Sequence, residues 1–222
     1  MIMSSIPWPE WDGDVAKARA LQTQLATQVV IEDDFGPLKH IAGVDVGFEA
    51  NGTITRAAAV LLDATSLKPV ADVVARLPTR MPYIPGLLSF RELPAVLEAL
   101  AGLPQQPDMI FVDGQGIAHP RGLGIAAHLG VTLGLPTIGV AKSILVGRHD
   151  ALGEQRGARA DLVYRGRVIG TVLRSKLKVK PLIVSPGYRV SMATAADLVL
   201  KCCTTYRLPE PTRWADKLAS RR

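Results

Sequence analysis

Phe111-Val112-Asp113-Gly114-Gln115-Gly116-Ile117-Ala118-His119-Pro120-Arg121-Gly122-Leu123-Gly124 is the segment from which the rest of the chain can be placed. The apolar run from Met109 to Val112 predicts a buried strand, and it ends in the carboxylate of Asp113. An acid carried on the end of a buried strand is held rigidly at the rim of an α/β sheet. Gly114 and Gly116 free the backbone for positive φ and let a ligand come close. Pro120 suits the first turn of a helix that would run on from about Gly122 to Leu133. The plain alternative is a strand-to-helix turn whose polar residues do nothing.

Upstream, Ile41 to Phe48 predicts another strand, with Val44, Val46 and Phe48 on one face and Gly43, Asp45 and Gly47 on the other. Glycines on both sides of Asp45 leave open space such as an ion or phosphate would need; an edge acid facing water is the alternative. Asn51-Gly52 signals a hairpin into a strand over residues 57–62, and residues 70–77 give a third strand. Pro82 and Pro85 bracket and stiffen Tyr83-Ile84, so the tyrosine ring can be held out on a rigid loop. Ser89 could cap the helix that follows, with Glu92 as its capping-box partner; alternatively Glu92 points toward Asp45 and Asp113. Downstream, residues 136–142 predict a buried strand parallel to the Asp113 strand, which puts Lys142 at the same sheet end. Lys142 can there contact a phosphate, or be a solvated strand-end lysine. His128 lies on an apolar helical stretch and reads as a core histidine.

The flanks are plainer. A helix is expected from about Pro9 to Val30, with Trp8 and Trp11 at its start, and residues 206–222 read as a proline-broken tail with a short amphipathic end. A hairpin is expected across Arg165-Gly166-Arg167, followed by alternating Arg174, Lys176, Lys178 and Lys180. If extended, those four cations form a phosphate-tracking ladder or a charge-protected edge.

The 222 residues fit one domain, 1–222, and 48% hydrophobic residues can fill a sizeable core. No apolar run is long enough for a membrane span and no signal peptide opens the chain. Two adjacent cysteines, Cys202 and Cys203, give no disulfide framework, so a reducing cytoplasm is expected. Net charge is +6, but residues 156–189 hold nine basic side chains against one acid while the remainder is slightly acidic. One basic segment on a balanced protein points to a polyanion, nucleic acid first. Zinc spacings, a GxSxG elbow and a Walker A loop are all missing, which argues against those chemistries. Asp45, Glu92 and Asp113 on three elements suit a hard cation such as Mg²⁺, and with the basic segment they fit metal-assisted phosphodiester hydrolysis.

Residues 43–46, 82–92, 113–121, 139–142 and 206–214 together resemble endonuclease V, the deoxyinosine 3′ endonuclease of DNA repair. The resemblance implies a ribonuclease H-like α/β fold, with a mixed five-stranded sheet and helices on both faces. It implies Asp45, Glu92 and Asp113 as Mg²⁺-binding catalytic acids, with Mn²⁺ able to substitute. His119 and Lys142 join them as catalytic residues, and Tyr83 becomes a wedge beside a displaced lesion. It also implies a pocket for flipped hypoxanthine near Pro85, Gly86, Leu88, Gly114 and Ile117. The partner implied is DNA containing deoxyinosine or mismatches, with inosine-containing RNA open, and the protein would act as a monomer. Cleavage would fall at the second phosphodiester 3′ to the lesion. A non-cleaving inosine-binding module and a different ribonuclease H-like nuclease are the competing readings. Tyr188 departs from the pattern, since many relatives carry histidine there.

Overall fold

The structure is a computed structural model and describes residues 11–220. One mixed sheet runs through it. The strands are β1 (His40–Glu49), β2 (Ile54–Asp63), β3 (Pro69–Pro78), β4 (Met109–Val112), β5 (Thr137–Ala141), β6 (Arg159–Tyr164), β7 (Arg167–Leu173) and β8 (Leu182–Tyr188). The helices are α1 (Val15–Ala26), α2 (Leu88–Ala101), α3 (Ile125–Leu133), α4 (Met192–Cys202) and α5 (Glu210–Ala219). In space the strands lie in the order β3-β2-β1-β4-β5-β8-β7-β6.

The sheet therefore has eight strands and not the expected five. The five expected strands are all present as β3-β2-β1-β4-β5, where β1 to β3 form an antiparallel meander and β4 and β5 run parallel to β1. β5 is fully buried, so its outer backbone edge needs a partner that water cannot supply. β8 meets that need by pairing antiparallel with it, and β7 and β6 extend the sheet further.

Alternation along β1 decides what each face packs against. Ala42 and Val44 face α2 and α3, with Val96, Leu100, Ile125 and Leu129 among the buried residues of that cluster. Ile41 faces the other side, which α4 and α5 cover through Val199, Cys202 and Ala215. Asp45 shares the face of Ile41. Helices thus lie on both faces, as expected.

The space beside Asp45 is occupied by protein. A Cβ on Gly43 would lie 1.9 Å from the Pro211 carbonyl oxygen, and one on Gly47 would lie 2.6 Å from that of Ala219. These two glycines are the seat of α5, and the predicted proline-broken tail is this docked helix.

Three other local expectations change. The first helix is shorter than predicted, because Asp14 caps Val15 by accepting from the Lys17 amide; Trp8 and Pro9 lie outside the described residues. Pro120 sits in a turn, and α3 starts only at Ile125 after Gly124. The four-cation ladder does not form, since residues 174–180 turn instead of extending. Arg174 donates to the carbonyls of Gly153 and Val179, and Lys176 to that of Thr205, so these cations satisfy loop backbone.

Candidate active site

Three carboxylates meet at one end of the sheet. Asp113 follows β4, its amide donating 3.1 Å to the Val44 carbonyl, so it stands level with Asp45 on β1. The third acid is Asp216 of α5. One oxygen from each of Asp45, Asp113 and Asp216 lies within 4.8 Å of the others. Lys142, just past β5, closes the group, with Nζ 2.5 Å from Asp113 Oδ2 and 2.7 Å from Asp216 Oδ1. Lys142 Nζ donates to Asp216 Oδ1, and its contact with Asp113 Oδ2 is an ion pair.

The electrostatics show a site short of positive charge. Burial, then repulsion from Asp113, pushes the Asp45 carboxyl up to about 7. Burial also raises Asp113, against the opposing pull of Lys142. Glu92 projects from α2 and is buried; burial and the nearby Asp45 raise it to about 8. Burial alone would lower Lys142, but its two carboxylate partners hold it charged far above its usual range. An all-oxygen, partly desolvated group of three converging acids fits a hard divalent cation. Asp45, Asp113 and Asp216 are the residues placed to hold it; Glu92 is beside them but outside the 4.8 Å group.

Glu92 is not a capping-box partner. α2 begins at Leu88 with Leu87 as its N-cap and no side-chain cap, while the Ser89 hydroxyl lies 2.9 Å from Nδ1 of His128. His128 is 2% exposed and packs edge-on against Phe90, as a core histidine should.

Beside the acids opens a cleft of about 330 Å³. Tyr83, Gly86, Leu88, Gly114, His119 and Lys142 are among the residues that line it. Pro85 and Ile117 lie outside the lining: Ile117 is tied by its amide to the Pro186 carbonyl on β8. The branched wall is Ile125 instead, whose Cγ2 would be 2.5 Å from a Cβ on Gly114. Gly114 has φ +155°, so neither space nor backbone admits a side chain there. Tyr83 is 66% exposed and stands at the rim. Ile84 to Leu87 form a turn closed by the Leu87 amide, with Pro85 second and Gly86 at φ +79° third, the type II pattern.

His119 is buried and spoken for at both ring nitrogens. The Arg121 amide donates to Nδ1 (3.2 Å), which makes Nε2 the protonated nitrogen, donating to the Gly86 carbonyl at 3.1 Å. Burial, then Arg121, lowers its pKa to about 4, so it is neutral near pH 7. Its contacts are to the loop that carries Tyr83.

Asp216 is the functional candidate that sequence reading passed over. Its signal was the Gly-x-Asp-x-Gly pattern at residues 43–47, read as room for an ion when it is room for the helix that brings another acid. Tyr188, on β8, abuts Gly130 of α3, where a Cβ would lie 2.3 Å from the Tyr188 Cβ.

An α/β sheet that gathers acids and a lysine at one end, beside a cleft with a glycine floor, defines a protein of the carboxylate-centred nuclease type. Comparison with known proteins gives the family. A sequence model of the Endonuclease V family matches residues 23–217. Endonuclease V of Azotobacter vinelandii is 67% identical over 220 residues, covering 99% of this chain and 100% of that one. The crystal structure of Endonuclease V from Streptomyces avermitilis superposes with a TM-score of 0.89 at 43% identity, covering 96% of this chain and 94% of the other. Ciona intestinalis Endonuclease V in complex with a 24mer DNA containing an inosine followed by a ribo-adenosine gives 0.81 at 29% identity, covering 94% and 97%. The chain belongs to the endonuclease V family and is an endonuclease.

Proposed function

We propose that this protein is a single-domain, monomeric, cytoplasmic DNA-repair endonuclease that uses Mg²⁺, or Mn²⁺ in its place. It recognises deoxyinosine and hydrolyses the second phosphodiester 3′ to the lesion, leaving 3′-hydroxyl and 5′-phosphate ends. The observation that carries this reading is the group of Asp45, Asp113 and Asp216 beside a cleft whose floor is glycine. The Ciona relative bound to inosine-containing DNA supports the choice of lesion. No helix among the described residues is long and apolar enough to cross a membrane.

The geometry supports a division of labour among these residues. A bound Mg²⁺ would activate water and offset charge on the phosphate, a contribution of several kcal/mol. Asp45, Asp113 and Asp216 would hold it through their carboxylate oxygens. Lys142, held charged, is within reach of a phosphate at the sheet end. Glu92, with a carboxyl near 8, can hold or release a proton beside the acids around neutral pH. Tyr83 enters the stack where the lesion leaves it, and the pocket of Gly86, Leu88 and Gly114 accepts the extruded base. Extrusion costs a few kcal/mol and less for a mispaired base, which itself favours inosine sites.

The deciding assay incubates the protein with deoxyinosine duplex, plain duplex and inosine-containing RNA, with Mg²⁺ or with EDTA. A nick in the deoxyinosine strand that EDTA abolishes is expected. A shifted band with no nick in any arm would favour a binding module, and preference for a four-way junction without inosine would favour a different nuclease. Tyr83→Ala is expected to weaken binding of the deoxyinosine duplex about 10-fold or more, as losing one stacking contact of 1–3 kcal/mol would. Its Mg²⁺ affinity by calorimetry should stay unchanged.

The acids also set a pH dependence. Asp45 and Glu92 titrate above their ordinary values of 3.8 and 4.5, so their protonated forms favour folding of the metal-free protein. That contribution is complete below about pH 4 and is lost as pH rises through about 7 and 8. The melting temperature in EDTA should therefore fall over this window, and Glu92→Gln should flatten the fall. Protons leave the ligands over the same window, so Mg²⁺ should bind at least about 10-fold tighter at pH 8 than at pH 6.

A further inference from the structure

Gln22 sits one residue before the stretch matched by the family model, on a helix that carries no acid. It is nevertheless 1% exposed. Its Nε2 donates to the Gly86 carbonyl at 3.0 Å and to the Leu123 carbonyl at 2.9 Å. Its Oε1 accepts from Arg121 Nε at 2.5 Å. Both donors and the acceptor of one buried amide are thus in use. Burying an amide costs several kcal/mol when it lacks partners, so a fully satisfied one favours a single arrangement of what it joins.

What it joins are the two sides of the cleft. Gly86 is the third residue of the turn that follows Tyr83, and Leu123 leads into α3, whose Ile125 stands against Gly114. The Gly86 carbonyl receives Gln22, His119 Nε2 and Arg121 Nη2 together, at 3.0, 3.1 and 2.8 Å. The apolar side of α1 packs on the same loop, with Val15, Ala18 and Leu21 clustered with Met81, Ile84 and Leu87. α1 is therefore a brace on the segment that presents Tyr83, and Gln22 is the residue through which α1 reaches the Gly86 carbonyl, beside His119 and Arg121.

We propose that Gln22 is a positioning residue for lesion recognition: through the Gly86 carbonyl it sets where Tyr83 stands relative to the base pocket. The proposal rests on the deoxyinosine reading above. A core amide that only stabilised the fold would lower melting temperature without acting through Tyr83.

The test is a double-mutant cycle on the full-length protein with deoxyinosine and plain duplexes. Gln22→Met is expected to raise KM for the deoxyinosine duplex about 10-fold, with kcat changed less than about 3-fold. Mg²⁺ affinity should not move. In a Tyr83→Ala background the same substitution should change KM less than about 2-fold, because the ring it positions is gone. Gln22→Glu keeps an acceptor for Arg121 but cannot donate to Gly86 or Leu123, so it should match Gln22→Met. If Gln22→Met does not fold, Gln22→Asn, whose amide is one methylene short of the Gly86 and Leu123 carbonyls, should give the same KM-only pattern. Equal KM effects with and without Tyr83, a loss confined to kcat, or no change would each overturn the proposal. Failure of the wild type to nick deoxyinosine DNA would instead overturn the functional reading.

Discussion

Asp113→Asn is expected to abolish nicking of a deoxyinosine duplex, by about 10³-fold or more, while the variant still binds that duplex. The size follows from losing one of three converging carboxylates, where several kcal/mol of charge stabilisation convert at 1.36 kcal/mol per tenfold. The fold should tolerate the change, because the amide has nearly the same shape and Lys142 keeps Asp216 at 2.7 Å. Stability should even rise in EDTA near pH 8. The buried Asp113 carboxylate repels Asp45, and a neutral amide removes that repulsion. Single-turnover cleavage, gel shift and thermal melting on one preparation test all three parts. Cleavage near the wild-type rate would remove Asp113 from the catalytic group.

The second large effect is reached through backbone. Gly43→Ala would place a Cβ 1.9 Å from the Pro211 oxygen, 2.2 Å from its carbonyl carbon and 2.8 Å from its Cα. None of these is a side-chain end that can swing away, so β1 and α5 must separate. Overpacking of this kind costs about 1–3 kcal/mol and sometimes more. Here separation also withdraws Asp216 from Asp45 and Asp113. Denaturant midpoint and Mg²⁺ affinity should therefore fall together, with cleavage down about 100-fold or more. Gly36→Ala is the control: it meets nothing within 4 Å and should stay within about 0.5 kcal/mol of wild type. Gly43→Ala with unchanged Mg²⁺ affinity would separate the helix seat from the site.

Where the sequence was readable, local pattern and chemistry agreed. Asp113 and Asp45 could be placed because short apolar runs with period two fix both the strand and the face of each residue. The five strands from β1 to β5 and the β6–β7 hairpin were visible in the pattern of apolar residues and turns, but the pairing of β8 with β5 was not. It joins residues such as Val140 and Val184 through backbone bonds that leave no trace in side-chain pattern. Asp216 was hidden for a related reason. Its partner acids, Asp45 and Asp113, lie more than a hundred positions away, and its own helix reads as an ordinary amphipathic end. The basic run misled because charge was counted without asking which carbonyls need donors, as Arg174 and Lys176 show. Gln22 was invisible, since nothing in an isolated glutamine says that three partners await it.

The place of α5 along the chain has a consequence for the order in which the molecule matures. Synthesis delivers all eight strands before α5, so a growing chain can lay down its sheet while the groove over Gly43 and Gly47 is still vacant. Such an intermediate holds Asp45, Asp113 and Lys142 but lacks Asp216. Capacity to cut thus arrives after the architecture that will direct it, and a released chain ending short of residue 210 should fold its sheet without gaining a nick.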